Sequence, residues 1–196
     1  MSKPPLDLET PVLLVAMPQV LDPYFHRSVI LLIHHDSEGS FGFIANRPTG
    51  IRVAEILKGM DIPWEGAADA MAYFGGPVQP QLGSVLCSLG DGDALKLEEF
   101  QGTALAPGLT VTQHIGDLQR LSALVPDPFR LFLGYAGWGE GQLLEEILRN
   151  DWLTVPVSPE LVFARDPDAV WGDALRSVGV DPASLPTWTA GGGAAN

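Results

Sequence analysis

Leu131-Phe132-Leu133-Gly134-Tyr135-Ala136-Gly137-Trp138-Gly139-Glu140-Gly141-Gln142-Leu143-Leu144-Glu145-Glu146-Ile147-Leu148-Arg149-Asn150-Asp151-Trp152-Leu153 is the stretch around which the chain is organised. The apolar run from Phe129 to Tyr135, bounded by Pro128 and Gly134, predicts a buried strand. Gly134, Gly137, Gly139 and Gly141 follow at close spacing and predict a tight turn, where the backbone needs positive φ or close approach of another segment. Leu143, Leu144, Ile147 and Leu148 then form one stripe with Glu145, Glu146 and Arg149 opposite, the pattern of an amphipathic helix. Asn150 suits a left-handed helix end. Trp152 and Leu153 lead back into the core, and Thr154 to Val157 reads as a short edge strand.

The glycine turn has two readings. Free N–H groups ahead of a helix can cradle an anion. Alternatively, the glycines let strand and helix pack closely around Trp138. The spacing Gly-x-x-Gly-x-Gly-x-Gly is neither the dinucleotide fingerprint nor a P-loop, and no Lys-Ser/Thr pair follows, so close packing is the preferred reading.

Working outward, Val12 to Ala16 predicts a strand, and Asp22-Pro23 predicts a single helical turn through His26. The run Ser28 to His34 is apolar without a break and predicts a strand in the middle of a sheet. Phe41 to Ala45 returns as its hairpin partner, stopped by Asn46-Arg47-Pro48. Arg52 to Lys58 predicts a helix, Ala72 to Phe74 a strand halted by Gly75-Gly76-Pro77, and Ser84 to Ser88 a further strand. A turn at Asp91-Gly92-Asp93 and a strand from Ala94 to Leu97 are expected next. Leu109 to Val111 is strand-like, with Thr112 as the cap of a helix reaching Leu124. Pro159 to Phe163 suits one helical turn, and Asp166-Pro167 opens a last helix with Trp171, Ala174, Leu175 and Val178 as its stripe and Gly179 as its stop. Many strands with helices at irregular intervals predict an α+β fold on a mixed sheet rather than a doubly wound one. Residues 1–188 are expected to form a single globular domain, with 189–196 a mobile Gly/Ala-rich tail.

The chain of 196 residues carries a net charge of −13, and its 11 basic residues are scattered. Nucleic-acid binders show a basic stripe, so direct nucleic-acid binding is disfavoured. No run approaches the roughly 18 apolar residues of a membrane span, and neither a signal nor a transit peptide is legible, so a cytoplasmic location without membrane attachment is expected. Cys87 is the only cysteine and excludes an intramolecular disulfide. It stands in the apolar run Val85-Leu86-Cys87-Ser88, where a thiol is a small hydrophobe rather than a nucleophile. His34 and His35 are strand neighbours that point to opposite faces and cannot easily share a metal ion. No zinc pattern and no Gly-x-Ser-x-Gly elbow occurs. Catalytic, metal and cofactor residues are therefore not assigned.

What remains is three turns. Asn46-Arg47-Pro48 holds a guanidinium at a strand end, able to bind a carboxylate or phosphate. Gly75-Gly76-Pro77 is a strand-end glycine turn, and Gly137, Trp138, Gly139, Gly141 and Gln142 form the third. If the three cluster, they frame a cleft; if not, they are ordinary structural punctuation.

The same turns carry a resemblance. Leu14-Val15-Ala16-Met17-Pro18, Asp22-Pro23-Tyr24-Phe25 with Arg27-Ser28-Val29, Gly42-Phe43-Ile44-Ala45-Asn46-Arg47-Pro48, Gly75-Gly76-Pro77-Val78-Gln79, Gly134-Tyr135-Ala136-Gly137-Trp138-Gly139 with Gly141-Gln142-Leu143, and Asn150-Asp151-Trp152-Leu153 stand in order along residues 12–180. In these the chain resembles the YqgE/AlgH family of bacterial proteins. The resemblance implies an α+β fold with a mixed, branched sheet, part of it barrel-like, flanked by helices. It implies no catalytic residues; some members carry the label of transcriptional regulator. The reading leans away from an enzyme. The leading expectation is a non-catalytic regulatory or interaction protein with an unidentified protein or small-molecule partner. The alternatives are a small-molecule or anion binder, or an enzyme, using the cleft between the three turns, and a structural oligomer.

Overall fold

The strand that begins at Phe129 does not stop where the glycines begin. The computed structural model describes residues 8–89 and 100–187. Its strands in chain order are β1 (Val12–Ala16), β2 (Val29–His35), β3 (Gly39–Ile44), β4 (Pro48–Arg52), β5 (Met71–Phe74), β6 (Val78–Cys87), β7 (Thr103–Ala106), β8 (Leu109–Thr112), β9 (Phe129–Gly139) and β10 (Trp152–Pro156). The helices are α1 (Val53–Lys58), α2 (Ile115–Leu124), α3 (Gln142–Leu148), α4 (Pro159–Val162) and α5 (Val170–Ser177). The expected turn at 91–93, the strand at 94–97 and the tail at 189–196 lie outside the described residues.

The main correction concerns Gly137, Trp138 and Gly139, which are strand and not turn. Gly137 pairs with Phe41, Trp138 with Ser40 and Gly139 with Gly39, so the second half of β9 is zipped to β3. Pairing with a waiting neighbour overrides the local preference of glycine for turns. Two shorter misses have similar causes. Pro48 to Arg52 forms β4 because β5 offers it an antiparallel partner across a register shift. Thr112 ends β8 and does not cap α2; its hydroxyl donates to Asp117 at 2.6 Å, and the helix starts after His114.

The sheet runs β10-β1-β2-β3-β9-β6-β8-β7, with β4 and β5 branching off. β2 lies between β1 and β3, as its unbroken apolarity predicts: Ile30 and Leu31 are both fully buried on opposite faces. All pairings are antiparallel except β5 with β9, so the sheet is mixed. β9 is where it branches. Phe129–Leu133 pairs with β6 on one side, Phe132 and Leu133 pair with β5 on the other, and Ala136–Gly139 pairs with β3.

At the branch, backbones meet with no room for side chains. The Gly75 amide donates to the Leu133 carbonyl at 2.8 Å, and the Ile44 amide to the Gly75 carbonyl at 2.9 Å, so the end of β5 bridges β3 and β9. A Cβ on Gly134, whose φ is +69°, would stand 2.4 Å from the Gly76 carbonyl oxygen. A Cβ on Gly76 would stand 2.1 Å from the Tyr135 carbonyl carbon.

The curled sheet wraps one core of Leu13, Val15, Leu31, Phe43, Leu86 and Phe132, closed by Trp171 and Leu175 of α5. Phe43 and Phe132 stack there at 5.1 Å. A second core under α1 and α2 holds Leu57, Val85, Cys87, Leu121 and Leu131. The third joins Leu14, Ile30 and Ile44 to Trp138, Leu143 and Trp152. Helix α5 starts later than its Asp166-Pro167 signal because residues 166–169 make a turn first, and Val178 falls past its end, 38% exposed.

These contacts predict which glycines matter. Gly134→Ala should destabilise by about 2–5 kcal/mol, combining ~1–2 kcal/mol for left-handed backbone with ~1–3 kcal/mol of overpacking. Gly139→Ala, where the nearest atom is the Gln142 Oε1 at 4.0 Å, should be close to neutral. Urea unfolding followed by circular dichroism separates them; equal midpoints would refute the branch as the constraint.

Candidate functional site

Asn46 follows β3 and is buried, 6% exposed. Its Oδ1 accepts from the Val29 amide at 2.9 Å and its Nδ2 donates to the Arg27 carbonyl at 3.0 Å. The Arg47 Nη2 donates to the His26 carbonyl. Both side chains therefore clamp the turn that leads into β2, where Arg27 has a φ of 52°. Asn46-Arg47-Pro48 does meet the second turn: Phe74 donates its amide to the Arg47 carbonyl at 2.7 Å, one residue before Gly75. Gly75 and Gly76 are buried in the sheet branch. Gly137 to Gly139 lie further along β9, on the half that pairs with β3, and Gly141 and Gln142 follow at the start of α3. Among the described residues, the clefts beside α1 and α2, beside the tryptophan pair and along β3 are lined by none of Asn46, Arg47, Pro48, Gly75, Gly76 and Pro77.

The third turn builds a site of its own. Gly141 opens α3 with a φ of 71°, and Gln142 reaches back so that its Oε1 accepts from the Gly139 amide at 3.1 Å. The Gln142 Nε2 donates to Glu146 Oε1 at 2.9 Å. Glu146 Oε2 accepts two indole N–H groups, from Trp138 at 2.8 Å and from Trp152 at 2.7 Å. The two rings meet edge to face at 5.9 Å, and Phe25 sits edge-on to Trp152 at 6.0 Å. One carboxylate thus fixes both tryptophans, which are 7% and 5% exposed. Beside this network opens a cleft of about 350 Å³ whose wall includes Asp22, Phe25, Trp138, Glu146, Arg149 and Trp152.

The sequence placed Glu146 on the solvated face of its helix, and the structure corrects that. Gln142, Glu146 and Arg149 stand at i, i+4 and i+7, so they share one face, and tryptophans flank the segment on both sides. That was the available signal.

Two polar anchors, Arg130 and Asp117, carry no signal in the sequence. Arg130 projects from β9 and is 7% exposed. It donates to the carbonyls of Ala45 at 2.8 Å, of Ala164 at 2.9 Å and of Val162, and lies over Tyr73 at 3.9 Å. Burial pulls its pKa below the ordinary value, with Tyr73 opposing; an arginine stays charged even so. Asp117 is fully buried and accepts from Thr112 and from the Gln101 amide at 3.1 Å. Cys87 is buried, and burial, with Asp117 adding to it, pushes its thiol up to about 12. That setting is the reverse of what a nucleophilic thiolate needs. No group of three or more His, Cys, Asp or Glu placed to hold a metal ion occurs among the described residues. No helix among them is long and apolar enough to cross a membrane.

Comparison with known proteins places this geometry. Residues 13–183 match the family model described as DUF179, AlgH-like. A UPF0301 protein of Myxococcus xanthus is 37% identical over 176 residues, 89% of this chain and 93% of that protein. A UPF0301 protein of Cupriavidus metallidurans is 37% identical over 187 residues, 94% of this chain and 95% of its own length. The solution structure of the AlgH protein from Pseudomonas aeruginosa superposes with a TM-score of 0.74 at 31% identity, covering 92% of this chain and 94% of that one. The crystal structure of protein DIP2367 from Corynebacterium diphtheriae gives a TM-score of 0.69 at 31% identity, over 85% of each chain.

Two outcomes test the site. Glu146→Ala leaves two buried indole N–H groups without their acceptor, at ~1–3 kcal/mol each. It should lower stability by about 2–6 kcal/mol in chemical denaturation, and Glu146→Gln should lower it much less. The Cys87 thiol should resist an aromatic disulfide reagent in the native protein and react fully in denaturant. Its ionisation is raised from 9.0 to about 12, so the stability it contributes is full below pH 9 and is lost as pH rises towards 12. Native-state labelling within minutes would refute this burial.

Proposed function

The chain belongs to the AlgH-like family, and on that premise we propose that it is a cytoplasmic, non-catalytic regulatory protein that works by binding another protein. The observation that carries this reading is an apolar groove between α1 and α2, floored by β6 and β9. Its cavity is about 160 Å³, with Ile56, Met60, Leu82, Ile115, Leu118 and Leu133 among its walls. Met60 is 46% exposed and Ile115 is 53% exposed, although both border a hydrophobic floor. Beside them β6 shows a free edge: β8 takes up only Val85–Cys87, so among the described residues no strand pairs with Val78–Ser84 on that side, and the register with β9 is irregular between Val78 and Gly83. Unpaired backbone next to apolar pockets is the recognition mode of an extended peptide, in which main-chain hydrogen bonds give affinity and alternate side chains give specificity. The occupant proposed is therefore an extended, apolar segment of a protein partner.

The net charge of −13 supports a protein rather than DNA as the target. Any influence on transcription would then pass through that partner. The reading of an anion site between the three turns has less support, because the Arg47 guanidinium is held by the His26 carbonyl.

A photocrosslinking residue at position 115 should give one discrete crosslinked protein in cells, and the same residue at position 178 on α5's end should not. Ile115→Asp should weaken that partner at least tenfold with an unchanged melting temperature. No product from position 115, or equal products from both, would overturn the proposal. Salt-sensitive retention on duplex DNA would replace it with direct regulation.

A further inference from the structure

The cleft beside the tryptophan pair has a chemistry distinct from the groove. Its walls include three carboxylates, Asp22, Glu146 and Asp151, against one guanidinium, Arg149. Arg149 is paired with Asp151 at 2.8 Å and also feels the charge of Glu146, so one guanidinium is shared among the carboxylates and the cleft keeps an excess of negative charge. Neither Asp22 nor Glu146 is saturated. Asp22 uses its Oδ1 to hold the Tyr24 amide at 2.8 Å, and among the described residues Glu146 Oε1 accepts from Gln142; each carboxylate oxygen has two acceptor sites.

The remaining wall is aromatic. Phe25, Trp138 and Trp152 all line the cleft, and Val20 and Leu21 add aliphatic surface. A carboxylate pair among indole and phenyl rings favours an organic cation, because ring faces attract positive charge and ring surface takes up the attached methylenes. The same wall is a poor site for a hard metal ion, which needs six or more oxygen ligands. An anion would meet the unbalanced carboxylates. The volume of about 350 Å³ suits a short alkyl chain with a charged head.

We propose that this cleft binds an alkylammonium group, with Asp22 and Glu146 as its counter-charges and the tryptophan corner as its wall. A lysine side chain on a partner protein and a free diamine share this chemistry.

Tryptophan reports on the site directly. Cadaverine, and separately a short peptide with one central lysine, should change the intrinsic fluorescence saturably and shift the indole N–H resonances of Trp138 and Trp152. Their acetylated, uncharged analogues should not. Asp22→Asn and Glu146→Gln keep the shape and an acceptor oxygen, and each should weaken binding about tenfold, ~1.4 kcal/mol. The double variant should abolish it, and Glu160→Gln, away from the cleft, should leave it unchanged. Melting curves of each variant establish that it is folded. Tighter binding of the peptide assigns the ammonium to a protein partner, and tighter binding of cadaverine assigns it to a free amine; either supports the site. No saturable change at millimolar ligand, equal binding of the acetylated analogues, or full binding by the folded double variant would overturn it. None of these outcomes depends on the groove between α1 and α2.

Discussion

The contact on which the structure depends is backbone against backbone, where Gly75 and Gly76 press on residues 134–136 of β9. A sheet branches only if a strand changes partner partway along. Three segments then have to share one small volume, and β carbons would occupy the space the main chains need. Here the amide of Gly75 bonds one neighbour and its carbonyl accepts from the other. Without that bridge, the Ile44 amide of β3 and the Leu133 carbonyl of β9 would be unpaired inside the protein, each costing about 1–3 kcal/mol. The aromatic stack of Phe43 on Phe132 fills the core beneath.

Around this constraint, buried polar groups act as fasteners. Arg130 draws the end of β3 and the segment after α4 onto β9 through main-chain carbonyls. Asp117 gathers Thr112 and Gln101 at the start of α2. Asn46 seals the turn before β2 with both ends of its amide. Glu146 differs, because its donors are side chains that border open space. A carboxylate in that position fixes the walls of a cleft as well as the fold.

How much of this could be read from the residues follows the range of the forces. Strand β2 was legible because an unbroken apolar run has one sensible place in a sheet. The β2–β3 hairpin and the helix stop at Asn150, with its φ of 62°, rest on local signals and appear as expected. Gly134 to Gly139 was read as a turn, because glycine looks alike whether it bends the chain or lets another strand approach. The branch, β4 and the partners of Arg130 are set by residues far away in sequence, so no window along the chain contains them. The three-turn idea divided on the same ground. The first two turns adjoin through Phe74, whereas the third was half strand and formed its own cleft with residues 19–25.

The position of β9 also carries a consequence for synthesis. It is the strand that joins both halves of the sheet, yet it occupies residues 129–139 of 196. A chain leaving the ribosome exposes β1 to β3, then β5 and β6, long before the strand that joins them exists. Those edges and their apolar faces must wait, open to water and to other chains, through the synthesis of dozens of residues. Pairings this distant in sequence close slowly and leave partly folded chains prone to association. For this fold the hazardous interval lasts at least until β9 emerges, and the edge of β1 waits longer still, for β10.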